Sequence, residues 1–267
     1  MPSKPSKPAA AAAARTPDSP LAIYFPRVAI HSLLHVYTAL WLPRTSWYFA
    51  PQPLPESSLD RPEPAYIRPL SASPALALAW MCAGSFVLQA AWCGFVRARI
   101  FHERIPNPSS EVLAKWREGK QDAIRDAFML TFAGTGAYTI LLVLFGAPLA
   151  IFHIRTILLA LLLSLLTVWT PVYALGISFK AKPSDTLRTR LARIFSELSP
   201  RTPAERILFY PVAGALLGAW TGAFPIALDW DRPWQSWPLT PALGAMAGYQ
   251  LGALAALLPE PAHTKTE

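Results

Sequence analysis

AFMLTFAGTGAYTILLVLFGAPLAIFHIRTILLALLLSLLTVWTPVYALGISF, residues 127–179, contains a single charge, Arg155. One membrane crossing takes about twenty apolar residues, so this stretch is long enough for two. Gly146-Ala147-Pro148 marks the break between them, because glycine and proline together interrupt a helix. The reading predicts spans over roughly 127–147 and 155–179. It also sets the class: an all-α, polytopic integral membrane helical bundle, since in lipid every backbone polar group must be satisfied within its own segment.

Working outward, the same measure places four more spans at roughly 21–42, 74–96, 207–228 and 239–258, six in a membrane domain of residues 21–258. Residues 1–20 are rich in Pro, Ala and Lys and lack the apolar core of a signal peptide, so they read as a disordered cytosolic tail. Residues 259–267 read as a short cytosolic C-tail. The whole chain is 53% hydrophobic and only 15% charged, too apolar for a soluble domain of this length. Its formal charge of +8 lies in links that flank spans, where orientation accounts for it; no nucleic-acid partner is expected. Cys82 and Cys93 share one span and, eleven residues apart, are separated by roughly 16 Å of helix rise, beyond disulfide reach.

Lys and Arg orient the bundle. The tail carries Lys4, Lys7 and Arg15, and the C-tail Lys265. The link between spans two and three holds Arg97, Arg99, Arg104, Lys115, Arg117, Lys120 and Arg125. The link between spans four and five holds Lys180, Lys182, Arg188, Arg190, Arg193, Arg201 and Arg206. The opposite side has only Arg44, Arg61, Arg68, Arg155 and Arg232. Cations gather on the cytosolic side, so both termini are expected there. Both basic links read as interfacial helices. Ser184 caps one, with Leu187, Leu191, Ile194, Phe195 and Leu198 on one face and Arg188, Arg190 and Arg193 elsewhere. Ser109 to Phe128 reads similarly, with Trp116 on the buried side.

Gly214, Gly218 and Gly222 recur every four residues in span five, as do Gly244, Gly248 and Gly252 in span six. Such spacing puts three glycines on one helix stripe, where backbones approach closely. Mutual packing of the two stripes is the economical assignment; reception of another protein's helix is the alternative. Pro211 and Pro225 are expected near the ends of span five, and Pro241 near the start of span six.

Between these spans lies Asp229-Trp230-Asp231-Arg232-Pro233-Trp234-Gln235-Ser236-Trp237-Pro238. Three indoles in so short a link suit a membrane surface or a protein interface, where an apolar body meets a polar tip. Asp229 and Asp231 beside Arg232 read as a local ion-pair frame; as an alternative they offer an acid/base pair or hard-cation ligands. Arg27, His31 and His35 step by four along span one and form a polar intramembrane face for packing or for lipid headgroups. Two histidines alone do not complete a metal site. Gln89 reads as an interhelical hydrogen bond. No GxSxG, HExxH or phosphate-cradling loop occurs, so no catalytic residue, cofactor or metal is expected.

Arg201-Thr202-Pro203-Ala204-Glu205-Arg206, Phe209-Tyr210-Pro211, Gly214-Ala215-Leu216-Leu217-Gly218-Ala219-Trp220 and Leu228 to Pro238 together resemble the PIG-F family of glycosylphosphatidylinositol (GPI)-anchor biosynthesis proteins. The similarity is densest over about 200–252 and looser through the earlier spans, including Pro171-Val172-Tyr173-Ala174-Leu175-Gly176. The resemblance implies a multi-pass endoplasmic-reticulum protein without catalytic residues of its own. It also implies partners, the PIG-O and PIG-G types of ethanolamine-phosphate transferase, and contact with membrane lipids, the GPI precursor among the candidates.

The resulting expectation is a non-catalytic membrane subunit. Trp230, Trp234 and Trp237 serve as packing anchors, with Asp229, Asp231, Arg232, Pro233, Gln235 and Pro238 shaping the turn. Pro203, Glu205 and Arg206 set the cytosolic start of span five. The rivals are a direct catalytic contribution through a metal on Asp229 and Asp231, and lipid presentation through the Arg27/His31/His35 face.

Overall fold

A computed structural model describes residues 20–44, 66–180, 182–228, 230 and 232–258. The expected tails, most of the 43–73 link, Asp229 and Asp231 lie outside the described residues. Every regular element described is helical. The helices are α1 (Pro20–Leu40), α2 (Arg68–Ala72), α3 (Pro74–Arg104), α4 (Ser110–Glu118), α5 (Lys120–Leu144) and α6 (Leu149–Leu175). Then come α7 (Asp185–Leu191), continued by a π turn over Ala192–Ser196, α8 (Pro203–Thr221) and α9 (Leu239–Ala255). Single 3-10 turns cover Phe224–Ala227 and Pro233–Gln235.

Among the described residues four helical stretches are long and apolar enough to cross a membrane: Pro74–Arg104, Ser110–Leu144, Leu149–Leu175 and Pro203–Ala227. Two of the six expected spans fall outside that measure. Pro26, Arg27, His31 and His35 interrupt the apolar character of α1, and α9 has 17 residues. Both are nonetheless built into the bundle. α1 packs on α3 and α9, and α9 runs along α8.

Local chemistry sets the boundaries and moves several expected ones. Thr202 caps α8, its hydroxyl accepting from Glu205 N at 3.2 Å, and Pro203 occupies the first turn, where a missing N–H costs nothing. α8 therefore begins at 203 rather than 207, and Pro211 lies inside the helix, not near its end. Pro225 falls in the following 3-10 turn. No glycine or proline interrupts 97–104, so α3 continues to Arg104. The expected interfacial helix over Ser109–Phe128 is two elements: α4 ends at Gly119, and 120–128 are the first turns of α5. Trp116 is half-buried, stacked 4.7 Å from Phe101. Gly146, at φ 91°, turns the chain between α5 and α6, and Gly176, at φ 70°, ends α6.

The main core joins Ala77, Leu78 and Met81 of α3, Leu159, Leu162 and Leu166 of α6, Ala215 of α8 and Leu239, Ala242, Met246 and Tyr249 of α9. A second cluster lies toward the basic links, with Tyr24, Val28, Trp92, Val96, Ala204, Ile207, Leu208 and Ala253. The bundle thus has two ends. At one, Tyr24, Glu103 and Ala204 meet; at the other, Arg155 and Thr156 meet Trp237.

Candidate functional site

The turn between α8 and α9 is shaped by Gln235. Its amide oxygen accepts from Arg232 N at 2.8 Å, and its amide nitrogen donates to Pro225 O at 2.5 Å and Leu228 O at 2.8 Å. One side chain therefore ties the 3-10 turn at 233–235 to the backbone that leaves α8. The expected Asp229/Asp231/Arg232 frame involves two residues outside those described; Gln235 is the frame that the described residues display. Pro233 is buried, Pro238 is buried behind it, and α2 packs on the 233–235 turn.

The three indoles divide. Trp237 turns inward onto the main core, donating from Nε1 to Thr156 Oγ1 at 3.0 Å while its carbonyl accepts from Arg155 Nη1 at 3.4 Å. It anchors the turn to α6. Trp234 is half-buried, 5.8 Å from Trp230, which is 48% exposed. Trp230 is thus the exposed indole, with Trp234 half-buried beside it and Trp237 turned inward.

Beneath the turn, the two glycine stripes face each other. A methyl placed on Gly214 would overlap the Gly248 carbonyl, and one on Gly218 the Gly244 carbonyl, with the converse clashes from Gly248 and Gly244. Gly222 meets the Thr240 carbonyl, and Gly252 the Tyr210 carbonyl beside Pro211. Backbone lies directly on backbone over the length of the hairpin, so neither helix can take a larger side chain there without separating.

The other end of the hairpin is held by charge. Glu205 is buried and uses both oxygens: Oε1 accepts from Arg190 Nε at 2.7 Å and Arg193 Nη2 at 2.8 Å, and Oε2 from Arg193 Nη1 and Arg201 N, each at 2.9 Å. Removing one partner of so buried a carboxylate would leave an uncompensated charge. The Arg193 guanidinium is held above its ordinary pKa, chiefly by the Glu205 hydrogen bond. Of the cations expected off the apolar face, Arg190 is buried against Glu205 while Arg188 is exposed. Leu198 leaves the expected apolar face; it is exposed, at φ 53°. Arg206 donates to the Leu258 carbonyl, tying the start of α8 to the end of α9. Glu103 Oε1 accepts from Tyr24 OH at 3.1 Å and Ala204 N at 3.3 Å, joining α1, α3 and α8. Sequence reasoning missed this clasp; the available signal was an acid on the first turn of a helix whose preceding link is rich in cations.

The Arg27/His31/His35 face splits. Arg27 is exposed and lies 4.7 Å from the Phe95 ring centroid. His31 is buried and stacks on Trp92 at 4.5 Å, and His35 is buried and stacks on Tyr249 at 5.3 Å. Beside them Gln89 Oε1 accepts from Thr170 Oγ1 at 2.6 Å and Tyr249 OH at 3.4 Å, an interhelical bond among α3, α6 and α9. These histidines line packing between helices.

Among the described residues no three His, Cys, Asp or Glu side chains converge as a metal site requires. The fold and its surfaces define a class: a polytopic helical membrane protein whose distinctive feature is a fixed, aromatic turn on a glycine-packed hairpin. The profile of the PIG-F GPI biosynthesis protein family matches residues 64–257, and the chain belongs to that family. It is 40% identical over 113 residues to the "GPI ethanolamine phosphate transferase, stabilizing subunit" of Mus musculus, covering 42% of this chain and 48% of that protein. The Homo sapiens protein of the same name is 37% identical over 116 residues, 43% of this chain and 49% of its own. "Glycosylphosphatidylinositol anchor biosynthesis protein 11" of Aspergillus fumigatus is 34% identical over 152 residues, 57% of this chain and 47% of its own. The chain spans about half the length of these curated relatives. No solved structure matches it.

Proposed function

We propose that this chain is a non-catalytic membrane subunit of GPI-anchor biosynthesis that stabilises an ethanolamine-phosphate transferase adding phosphoethanolamine to mannoses of the GPI precursor. The names of its relatives support the role, and the PIG-O and PIG-G types are the partners that the resemblance implies. It acts in the endoplasmic-reticulum membrane, with six spans, both termini cytosolic and the tryptophan turn luminal; the segregation of Lys and Arg supports that orientation.

One observation supports the reading most: Trp230 and Trp234 are presented on a turn that Gln235 and Trp237 hold rigid from inside. Aromatic anchors on a fixed scaffold give the most binding energy per contact, because little side-chain freedom is lost on docking. The test is co-purification of the transferase with the wild-type chain and with Trp230→Ala/Trp234→Ala. Loss of the transferase from the complex, and a fall in its abundance, is the expected outcome. Equal recovery with both chains would reject the turn as the contact.

A further inference from the structure

The clasp at the basic end leaves one N–H donor unmet. Glu205 already accepts four hydrogen bonds, yet Arg190, fixed through its Nε, buries its Nη1 without any partner. Arg104, exposed at the end of α3, lies within electrostatic reach of both Arg190 and Glu205. Nearby, Arg193 is spent on Glu205 and Ser199 O, Arg99 donates to Tyr24 OH, and Glu103 uses Oε1 for Tyr24 and Ala204 while its buried Oε2 meets no donor. Arg190 Nη1 thus remains a buried N–H donor that Glu205, already saturated, does not meet. Such a donor is costly to leave unmade and is met by an anionic oxygen.

What brings that oxygen is indicated by the segment around it. Leu187, Leu191 and Phe195 pack onto the second core cluster, so the α7 segment lies along the bundle with its apolar face inward. Phe179 and Leu198, at either end of the same connection, are 51% and 64% exposed. Large apolar side chains flanking a basic corner suit a lipid surface, where rings and methyls enter the acyl boundary and guanidinium groups remain at headgroup level.

We propose that Arg190 and Arg104 bind the phosphate of an anionic glycerophospholipid in the leaflet that meets this end of the bundle. The phosphate oxygen accepts from Arg190 Nη1, and Arg104 closes the site from the solvent side. The site is independent of the surface at the tryptophan turn and of any transferase.

The test uses the full-length chain in phosphatidylcholine nanodiscs with and without phosphatidylinositol 4-phosphate, counting retained lipid by native mass spectrometry. Arg104→Gln is the informative variant because its side chain is exposed and makes no Glu205 contact. Retention of the anionic lipid should fall about fivefold, the share of one cation at a membrane surface. Arg188→Gln, an exposed cation on the same helix as Arg190, should retain lipid like wild type, and phosphatidylcholine should not be retained. Equal retention by Arg104→Gln and wild type overturns the site. Equal losses in Arg104→Gln and Arg188→Gln overturn it too, since the attraction would then be diffuse. Displacement of the lipid by inorganic phosphate at matched concentration overturns the lipid as its source.

Discussion

Replacing Gly218 with alanine tests whether the α8–α9 hairpin is held by direct backbone contact. A β-carbon there would overlap the Gly244 carbonyl oxygen and sit 2.8 Å from the Gly244 carbonyl carbon and 3.0 Å from Gly248 Cα. Carbon atoms rest near 3.5–4.0 Å, so the shortfall is about 1 Å. Neither neighbour is a side chain that can rotate away, so the helices must part by about that distance. A gap of 0.5–1 Å forfeits roughly a quarter to a half of the dispersion attraction at the crossing. Overpacking of this kind costs up to about 3 kcal/mol, and the better helix propensity of alanine returns just under 1 kcal/mol. The net loss is about 2 kcal/mol, roughly thirtyfold in the folding equilibrium. Gly136→Ala is the internal control, since nothing lies within 4 Å of a methyl on that α5 glycine. Reversible unfolding of the purified chain in mixed detergent, followed by tryptophan fluorescence, measures both. Gly218→Ala should be destabilised while Gly136→Ala is neutral or slightly stabilised. Equal midpoints for the two variants would refute backbone contact as the basis of the pairing.

Glu205→Gln should destabilise the chain by about 3 kcal/mol, because it leaves Arg190 buried beside an uncharged amide; a thermal midpoint within error of wild type would remove the clasp from the account. Gln235→Ala deletes three hydrogen bonds to backbone and should cost about 1–3 kcal/mol, with protease cleavage appearing between 225 and 235; an unchanged cleavage pattern would show that the turn is held elsewhere. Gln89→Leu, although fully buried, should cost only about 1 kcal/mol, since hydrogen bonds between membrane helices average about 0.6 kcal/mol. A loss several times larger would mean that the Thr170–Gln89–Tyr249 bond organises the bundle.

The helical class was legible because lipid permits few alternatives: a long stretch with one charge must satisfy its own backbone, and only helices do so locally. The glycine spacing contains its own geometry, since a repeat of four falls on one stripe, and the short turn makes α9 the economical neighbour of α8. What composition did not reveal was the direction of particular side chains. Trp230, Trp234 and Trp237 look equivalent in a short aromatic link, yet only Trp237 reaches Thr156, 81 residues away in sequence. Arg188 and Arg190 sit two apart on α7, so they point to different sides of the helix, and the sequence does not say which side meets Glu205. The boundary of α8 moved for a local reason: a Thr-Pro-x-Glu start outranks the apolar onset at Ile207. Gly119 likewise divides an amphipathic pattern that looks continuous by periodicity alone.

The stabilising role proposed above needs rigidity more than chemistry, and the hairpin supplies rigidity at three levels. At the turn, Gln235 and Trp237 fix backbone to backbone and α9 to α6. In the middle, carbonyls seated against glycines prevent sliding, because a shift along either helix brings the larger side chains between Gly214, Gly218 and Gly222 against Gly244 and Gly248. At the basic end, Glu205 and Arg206 hold α8 to the α7 segment and to the end of α9. Each level removes freedom that docking would otherwise have to remove. Ordering one rotamer-rich interface side chain costs about 0.5–1.5 kcal/mol, so a surface of two indoles already fixed in place keeps that amount per anchor as affinity. The same logic separates the partner contact proposed at the turn from the lipid site proposed at the basic end: loosening the turn leaves Arg104 untouched, and neutralising Arg104 leaves both indoles where they are.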